Sequence, residues 1–276
     1  LYAIEVFQEA MLRNRHGYMM GLPDGPLQTL YTHRPCRDVR LGQRVTEIVC
    51  RDKTVSTIRL ASGEHIAVSA VVLATNHHAV EKLISPEWLR TDSRFASLGK
   101  LESVPILGAH MWFDRPVMKL PHAALIEGPL QWLFRKDELG TAVHGVISAA
   151  RPWATTPHEH CAALFERQLQ MIFRQPQAKL VRYRIVIEKR ATFAPSPGID
   201  RFRPPQAPVP GGIENLFLAG DYTRTGWPAT MEGAVRSGYL AAGALLQAMP
   251  HTAKLPSPLA NDLPFERAAR WLSGSD

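Results

Sequence analysis

A strand gives way to a helix across a turn that carries one acid. In the stretch Glu214–Leu246 (ENLFLAGDYTRTGWPATMEGAVRSGYLAAGALL), Leu216, Phe217 and Leu218 form an apolar run of strand length, ended by Gly220. Asp221 and Thr223 follow in a polar loop turned sharply by Gly226 and Pro228. From about Ala229, small residues and Leu240, Leu245 and Leu246 recur at helical spacing. The N-terminus of such a helix offers N–H groups and a positive dipole end to an electron-rich ligand edge. Gly233 and Gly238 predict a close approach to the helix, because an interior glycine otherwise costs roughly 1 kcal/mol against alanine.

Two other clusters resemble metal ligands by residue type only. His77 and His78 are adjacent, so a regular helix cannot turn both toward one ion, and no Cys or carboxylate stands at ligand spacing. They read as polar residues at a helix entry. His158, His160 and Cys161 fall in the first turn of a helix of about four turns. There Thr156 is the expected cap, Pro157 suits the first turn and Glu159 completes a capping box, which predicts a surface role. No metal is expected.

The elements around these residues fall into two patterns. Leu1–Asn14 has apolar residues at helical spacing, and Pro23, Gly25 and Pro26 break the segment after it. Val45–Cys50, Val55–Leu60 and Ile66–Val68 read as three strands, the last two joined through Ser62 and Gly63. Ala70–Leu73 is a continuous apolar run, expected of a strand buried on both faces. Ala74 and Thr75 end it, at the place where nucleotides sit in open α/β sheets. From Pro86 to about Pro195 the segments Ile106–Phe113, Ala123–Ile126, Gln131–Phe134, Ala142–Ser148 and Leu180–Glu188 suit antiparallel pairing in a separate domain. Ala194–Gly212, rich in Pro and Gly, reads as a crossing back.

Composition excludes several classes. The 276 residues are 45% hydrophobic and 21% charged, as in an ordinary globular protein. No apolar run approaches the roughly 20 residues that span a bilayer, and no signal peptide is visible. Cys36, Cys50 and Cys161 are an odd, widely spaced set that suits a reducing cytoplasm. The net charge of +7 is scattered, with no basic run interleaved with aromatics, so nucleic acid is not an expected partner. Solubility is its simplest explanation, and an anionic membrane surface is compatible with it.

Leu-Phe-Leu-Ala-Gly-Asp followed by Met-Glu-Gly-Ala-Val-x-Ser-Gly resembles the C-terminal flavin signature of the amine oxidase and phytoene desaturase superfamily. With Asp-Tyr-Thr and Gly-Trp-Pro-Ala-Thr between the halves, the run is most similar to the squalene-associated FAD-dependent desaturases, the hydroxysqualene dehydroxylases. Gly-Leu-Pro-x-x-Pro-Leu from Gly21 and LGAHMWFDRPV from Leu107 resemble that family too, although YTHRPCR is too short for the helix the family carries there.

The resemblance implies an α/β (α+β) protein: a partial FAD-binding Rossmann-like domain with its β-meander, plus an antiparallel-sheet substrate domain. The expected division is 1–37 substrate-domain helix and loop, 38–85 FAD segment, 86–204 substrate domain, 205–250 FAD segment and 251–276 tail. FAD is the implied cofactor. Val45 would meet the adenine through its backbone, beside Ala74 and Thr75, and Gly220 and Asp221 would hold the ribityl–pyrophosphate region. Thr230 and Met231 would begin the helix that points at the flavin N1–C2=O edge. Trp112, Phe113, Trp132 and Phe134, with Trp227, would line a tunnel for a long hydrocarbon, the strand aromatics having core packing as their other reading. Amine oxidases of the superfamily place a Tyr immediately before Met-Glu-Gly-Ala; Thr230 stands there instead and argues against an amine.

The implied reaction is the reduction of hydroxysqualene to squalene, by hydride delivery to an allylic carbon as its hydroxyl leaves. Alternatives are a carotenoid or phytoene-type desaturase, a flavin amine oxidase, and a non-catalytic flavin-binding partner subunit. The implied partner is an isoprenoid lipid, collected by a cytoplasmic protein that visits the inner membrane peripherally. No GxGxxG occurs, and the chain begins at Leu1 within a helical pattern, so it reads as the C-terminal part of a longer protein.

Overall fold

The structure, a computed structural model, describes residues 2–12, 14, 16–19, 21, 23, 25–31 and 38–249. Cys36 and the 251–276 segment lie outside them. The chain divides into two compact units: residues up to Leu98 together with those from Asp200, and Gly99–Ile199.

The first unit opens with α1 (Tyr2–Phe7), continued as a π-helical turn over Gln8–Leu12. An antiparallel meander follows, of β1 (Val45–Arg51), β2 (Thr54–Leu60) and β3 (His65–Ala67). The first hairpin closes on Asp52 and Lys53, both at positive φ, which matches the right-handed twist of the paired strands. Next come β4 (Val71–Ala74), α2 (His77–Leu83) and α3 (Pro86–Thr91). Asn76 caps α2 by accepting from the Ala79 N–H at 2.9 Å.

A buried ion pair adds the residues after α3 to this unit. Asp92 and Arg94 pair at 2.7 Å with both side chains fully buried. Asp92 accepts from the Ile213 N–H at 3.0 Å, and Arg94 donates to the carbonyls of Leu216 (2.6 Å) and Ile213 (3.2 Å). The sequence pattern changes at residue 86, but this staple holds 86–98 with the first unit.

β10 (Leu216–Ala219), buried throughout, runs parallel to β4, pairing Leu216 with Val71 and Ala219 with Ala74. Asn215 sets that register. Its amide accepts from the Val55 N–H at 2.7 Å and donates to Val55 O (2.8 Å) and Ser69 O (2.9 Å), tying the meander to the parallel pair. β4 is not buried on both faces as its composition predicts. Leu73 is buried but Val72 is 38% exposed, and β10 is its sole partner among the described residues. α5 (Met231–Ala248) packs Ala241, Ala244 and Leu245 on Phe217 and Ala219.

The second unit is a five-stranded antiparallel sheet in the order β6-β7-β8-β5-β9. Its strands are β5 (Ser103–Phe113), β6 (His122–Ala124), β7 (Trp132–Arg135), β8 (Ala142–Ile147) and β9 (Leu180–Phe193). α4 (His158–Ile172) covers one face, with Cys161, Phe165 and Leu169 against Leu107, Ala109, Met111, Leu133 and Val143. Alternation along β5 buries every second residue there, as a half-covered sheet requires. Thr156 does not cap α4. Pro157 takes that position, and the Thr156 hydroxyl turns back to donate to the Pro152 carbonyl at 3.0 Å. β9 alternates in sequence, yet of Leu180–Ile187 only Ile185 is buried, because β9 is an edge strand.

Candidate functional site

The parallel strands β4 and β10 finish side by side, so Thr75 and Gly220 emerge together at their C-terminal ends. Gly220 has φ +140°, and a Cβ built there would lie 2.7 Å from the Thr75 carbonyl oxygen and 2.6 Å from the Tyr222 ring. Both the backbone angle and the close approach require glycine. Its N–H donates to Ser237 Oγ at 2.7 Å, and Ser237 donates in turn to the Ala234 carbonyl at 2.6 Å, locking α5 to the strand end. Its carbonyl accepts from the Thr223 N–H (3.0 Å) and hydroxyl (2.8 Å).

The loop from Asp221 to Pro228 is built on a buried arginine. Arg203 donates to the carbonyls of Asp221 (2.9 Å) and Trp227 (2.7 Å), to Thr225 Oγ1 (3.0 Å) and to Asp200 Oδ1 (2.9 Å). Gln206, also buried, donates to Thr223 Oγ1 (3.0 Å) and the Arg224 carbonyl (2.7 Å). The Tyr222 ring is fully buried 6.0 Å from that of His77, and its hydroxyl has no hydrogen-bond partner among the described residues. Burial pushes that phenol well above its ordinary pKa.

Asp221 is half-buried. Burial raises its pKa, and the charge of Arg203 and the Tyr222 N–H only partly offset that. Arg203 holds the Asp221 carbonyl rather than its carboxylate, which has no side-chain donor among the described residues. A desolvated carboxylate in that condition can accept from ligand hydroxyls, so this acceptor fits a ribityl or ribose chain.

Thr230 is the N-cap of α5, its hydroxyl accepting from the Gly233 N–H at 3.1 Å. That side chain is engaged within the helix, and the group it leaves for a ligand is the helix end itself. Met231 beside it is 52% exposed. Gly233 is approached by its own chain, with a Cβ there 2.5 Å from the Pro228 carbonyl, whereas Gly238 has nothing within 4 Å among the described residues.

A cavity of about 690 Å³ opens between the meander, β4 and α2. It brings together Val45, Ala74 and Thr75, with Arg44 and Lys82 as basic groups on its wall. Gly220, Asp221, Thr230 and Met231 lie outside it, joined to it through the Thr75–Gly220 contact.

The aromatic residues divide. In the second unit, Trp112, Trp132 and Phe134 share the sheet face that α4 does not cover. Trp132 and Phe134 stack at 6.0 Å, Phe134 and His144 lie 6.5 Å apart, His144 and His110 stack at 4.3 Å, and His110 lies 6.3 Å from Trp112. The Arg182 guanidinium closes the row, 4.7 Å over Trp112. Phe113 points the other way, 4% exposed in the core beneath α4. Trp227 belongs to the first unit, where Arg236 lies 4.4 Å over its ring and is held by Glu232 at 2.6 Å.

Of the residues with metal-ligand chemistry, His77 is buried at the start of α2, 4.0 Å ring to ring from His78. His158 and His160 are exposed, while Cys161 is buried against the sheet. Sequence reasoning missed Arg203, Gln206, Ser237, His110 and His144. The signal for the histidines was their register with Trp112 and Phe134 on alternating strands.

Parallel strand ends beside a capped helix are the arrangement in which α/β proteins bind nucleotide cofactors, and a separate antiparallel sheet with an open aromatic face accompanies it here. Residues 3–246 match the family described as flavin containing amine oxidoreductase, and the chain belongs to it. FAD is the cofactor of that family. The chain is 29% identical over 262 residues to 15-cis-phytoene desaturase of Synechococcus elongatus, covering 85% of this chain and 54% of that protein. It is 32% identical over 207 residues to hydroxysqualene dehydroxylase of Sinorhizobium fredii, covering 74% and 45%. The chain thus spans about half the length of the curated relatives it matches. An oxidoreductase structure from Methanosarcina mazei shares the fold with a TM-score of 0.54 at 14% identity, over 71% of this chain and 47% of that one.

Proposed function

We propose that the chain belongs to a FAD-dependent oxidoreductase acting on a C30 isoprenoid, and that it reduces hydroxysqualene to squalene. The observation that carries this reading is the open row Trp132–Phe134–His144–His110–Trp112, a long aromatic face bordered by Arg182. Such a face suits an extended hydrocarbon and, with a guanidinium at its end, repels an ammonium group.

A bound flavin supplies the hydride chemistry. Asp221 would accept hydrogen bonds from hydroxyls of the cofactor's chain, and Val45, Ala74 and Thr75, which line the cavity, would shape the nucleotide's place in it. Thr230 fixes the first turn of α5, whose N–H groups stabilise negative charge placed before them. In the reaction a C–O bond breaks, a C–H bond forms at the same carbon, and the hydroxyl departs with a proton as water. The net charge of +7 supports peripheral contact with an anionic membrane where such a lipid resides.

The similarity to phytoene desaturases over 85% of the chain favours a second reading, hydride removal from an isoprenoid hydrocarbon. Anaerobic reduction of the flavin in the whole protein, followed by product analysis with each lipid, separates the two. Squalene formed from hydroxysqualene supports the first. Oxidation of a hydrocarbon with reduction of the flavin supports the second.

A further inference from the structure

The two histidines at the middle of the aromatic row are not needed to bind a hydrocarbon. An all-apolar face would do that better, because each imidazole brings polar nitrogens that a hydrocarbon cannot satisfy. We propose that the stacked His110–His144 pair is the polar anchor of this face, hydrogen-bonding the hydroxyl of an otherwise apolar polyisoprenoid alcohol. The inference rests on the reading of a hydroxylated isoprenoid substrate and assigns the residues that would distinguish it from the plain hydrocarbon.

Geometry supports it in three ways. The rings lie 4.3 Å apart and 7° from parallel, directly paired across β5 and β8, so they present one surface. Neither ring makes a hydrogen bond to another described residue. Apolar rings flank the pair on both sides, Phe134 at 6.5 Å from His144 and Trp112 at 6.3 Å from His110. A chain lying along the row would therefore meet aromatic faces at both ends and imidazole nitrogens in between.

Gly108 makes the arrangement possible. A Cβ there would stand 3.0 Å from His144 Nε2, so glycine lets the ring lie flat on the sheet. Charge favours the neutral ring as well. Burial and then the charges of Arg184 and Lys136 lower the pKa of His110, and burial, His110 and Lys136 lower that of His144. A neutral imidazole has one donor and one acceptor nitrogen, so it can give a hydrogen bond to a hydroxyl and take one from it. A charged imidazolium would instead have to be desolvated under a hydrocarbon, which is unfavourable.

The test is binding of hydroxysqualene and of squalene, each in detergent micelles, to the whole protein, read by fluorescence of Trp112 and Trp132. The wild type should bind the alcohol about fivefold more tightly, the worth of one neutral hydrogen bond. His144→Phe and His110→Phe should bring the two lipids to within about twofold of each other, with squalene bound at least as tightly as by the wild type, and His144→Gln, which retains a donor, should keep part of the preference. Should His144→Phe not fold, Gly108→Ala, which only lifts the ring, must lower the preference. Variants that keep the full preference overturn the proposal. Equal binding of both lipids by the wild type overturns it too, yet leaves the isoprenoid reading standing. Binding of neither lipid overturns both.

Discussion

The guanidinium of Arg203, fully buried, donates to the carbonyl of Trp227 at 2.7 Å across twenty-four positions of chain. The same group holds the Asp221 carbonyl and Thr225 Oγ1, so one side chain sets both ends of the loop between β10 and α5. Arg203→Met leaves two partly buried carbonyls without a donor. It should cost roughly 3 kcal/mol in denaturant unfolding and lower the flavin retained per chain. Arg203→Lys should rescue little, because an ammonium cannot reproduce the fork. Wild-type unfolding in both variants would show that the loop stands without it.

Gly220 and Gly238 should respond in opposite directions to alanine. At Gly220 the added Cβ meets the Thr75 carbonyl at 2.7 Å with φ at +140°, so Gly220→Ala should destabilise by about 3 kcal/mol or more. At Gly238, on α5 with nothing within 4 Å among the described residues, alanine should stabilise by up to about 1 kcal/mol. Thermal melting of the two variants checks both signs. A loss at Gly238 would reveal a close neighbour on that face of α5.

These two glycines also mark what was legible in the sequence. The meander, the short strand before Gly220 and the helix after it follow from alternation and helical spacing, and the structure has all of them. Arg203 and Gln206 were not legible, because they sit in a Pro-rich crossing, where long polar side chains are normally exposed. Their burial depends on carbonyls brought to them by residues 221–227, a contact that no local pattern announces. Trp112 and Phe113 are a different case. Neighbours on one strand face opposite sides, so the alternation of β5 already forbade both from lining one surface.

His144 should make stability depend on pH below neutrality. Burial, then the charges of His110 and Lys136, place its pKa at about 4, whereas an unfolded imidazole titrates near ~6.5. Between those values the unfolded chain binds more protons than the folded one, so stability rises with pH across that window. The contribution is complete above about 6.5 and is lost as pH falls toward 4. For a partly buried ring the expected size is of the order of 2 kcal/mol. Melting temperature against pH should be flatter in His144→Phe over that interval. An unchanged slope would contradict the environment described for this ring.

Asp221 should separate folding from cofactor binding. Burial raises its pKa despite the Arg203 charge and the Tyr222 N–H, so in the flavin-free protein the ionised carboxylate is a cost to the fold. Asp221→Asn should therefore leave the melting temperature of that form unchanged or raise it. In the proposed role, where the carboxylate accepts from a cofactor hydroxyl, the same substitution should weaken FAD retention by about 1.5–3 kcal/mol. Lowering the pH of the wild type through the raised pKa should mimic the variant. Full flavin occupancy of Asp221→Asn after extensive dialysis would remove Asp221 from the site.

Thr230 bears on the class of substrate. The amine oxidases that the flavin signature resembles carry Tyr at the position before Met-Glu-Gly-Ala, one wall of an aromatic cage. Here the residue is a helix cap, its hydroxyl bound to the Gly233 N–H at 3.1 Å, with the exposed Met231 next to it. A cap cannot serve as an aromatic wall, and the open sheet face of the second unit carries Arg182 and Arg184, whose charges disfavour an ammonium ion. Primary amines and polyamines should therefore fail to reduce the flavin of the whole protein under anaerobic mixing, while an isoprenoid substrate exchanges electrons with it. Thr230→Tyr should lose about 1 kcal/mol of stability with the cap and gain no amine oxidation, because the aromatic cage needs a second wall. Bleaching of the flavin absorbance by a simple amine, at a rate that supports turnover in the wild type, would overturn the isoprenoid assignment.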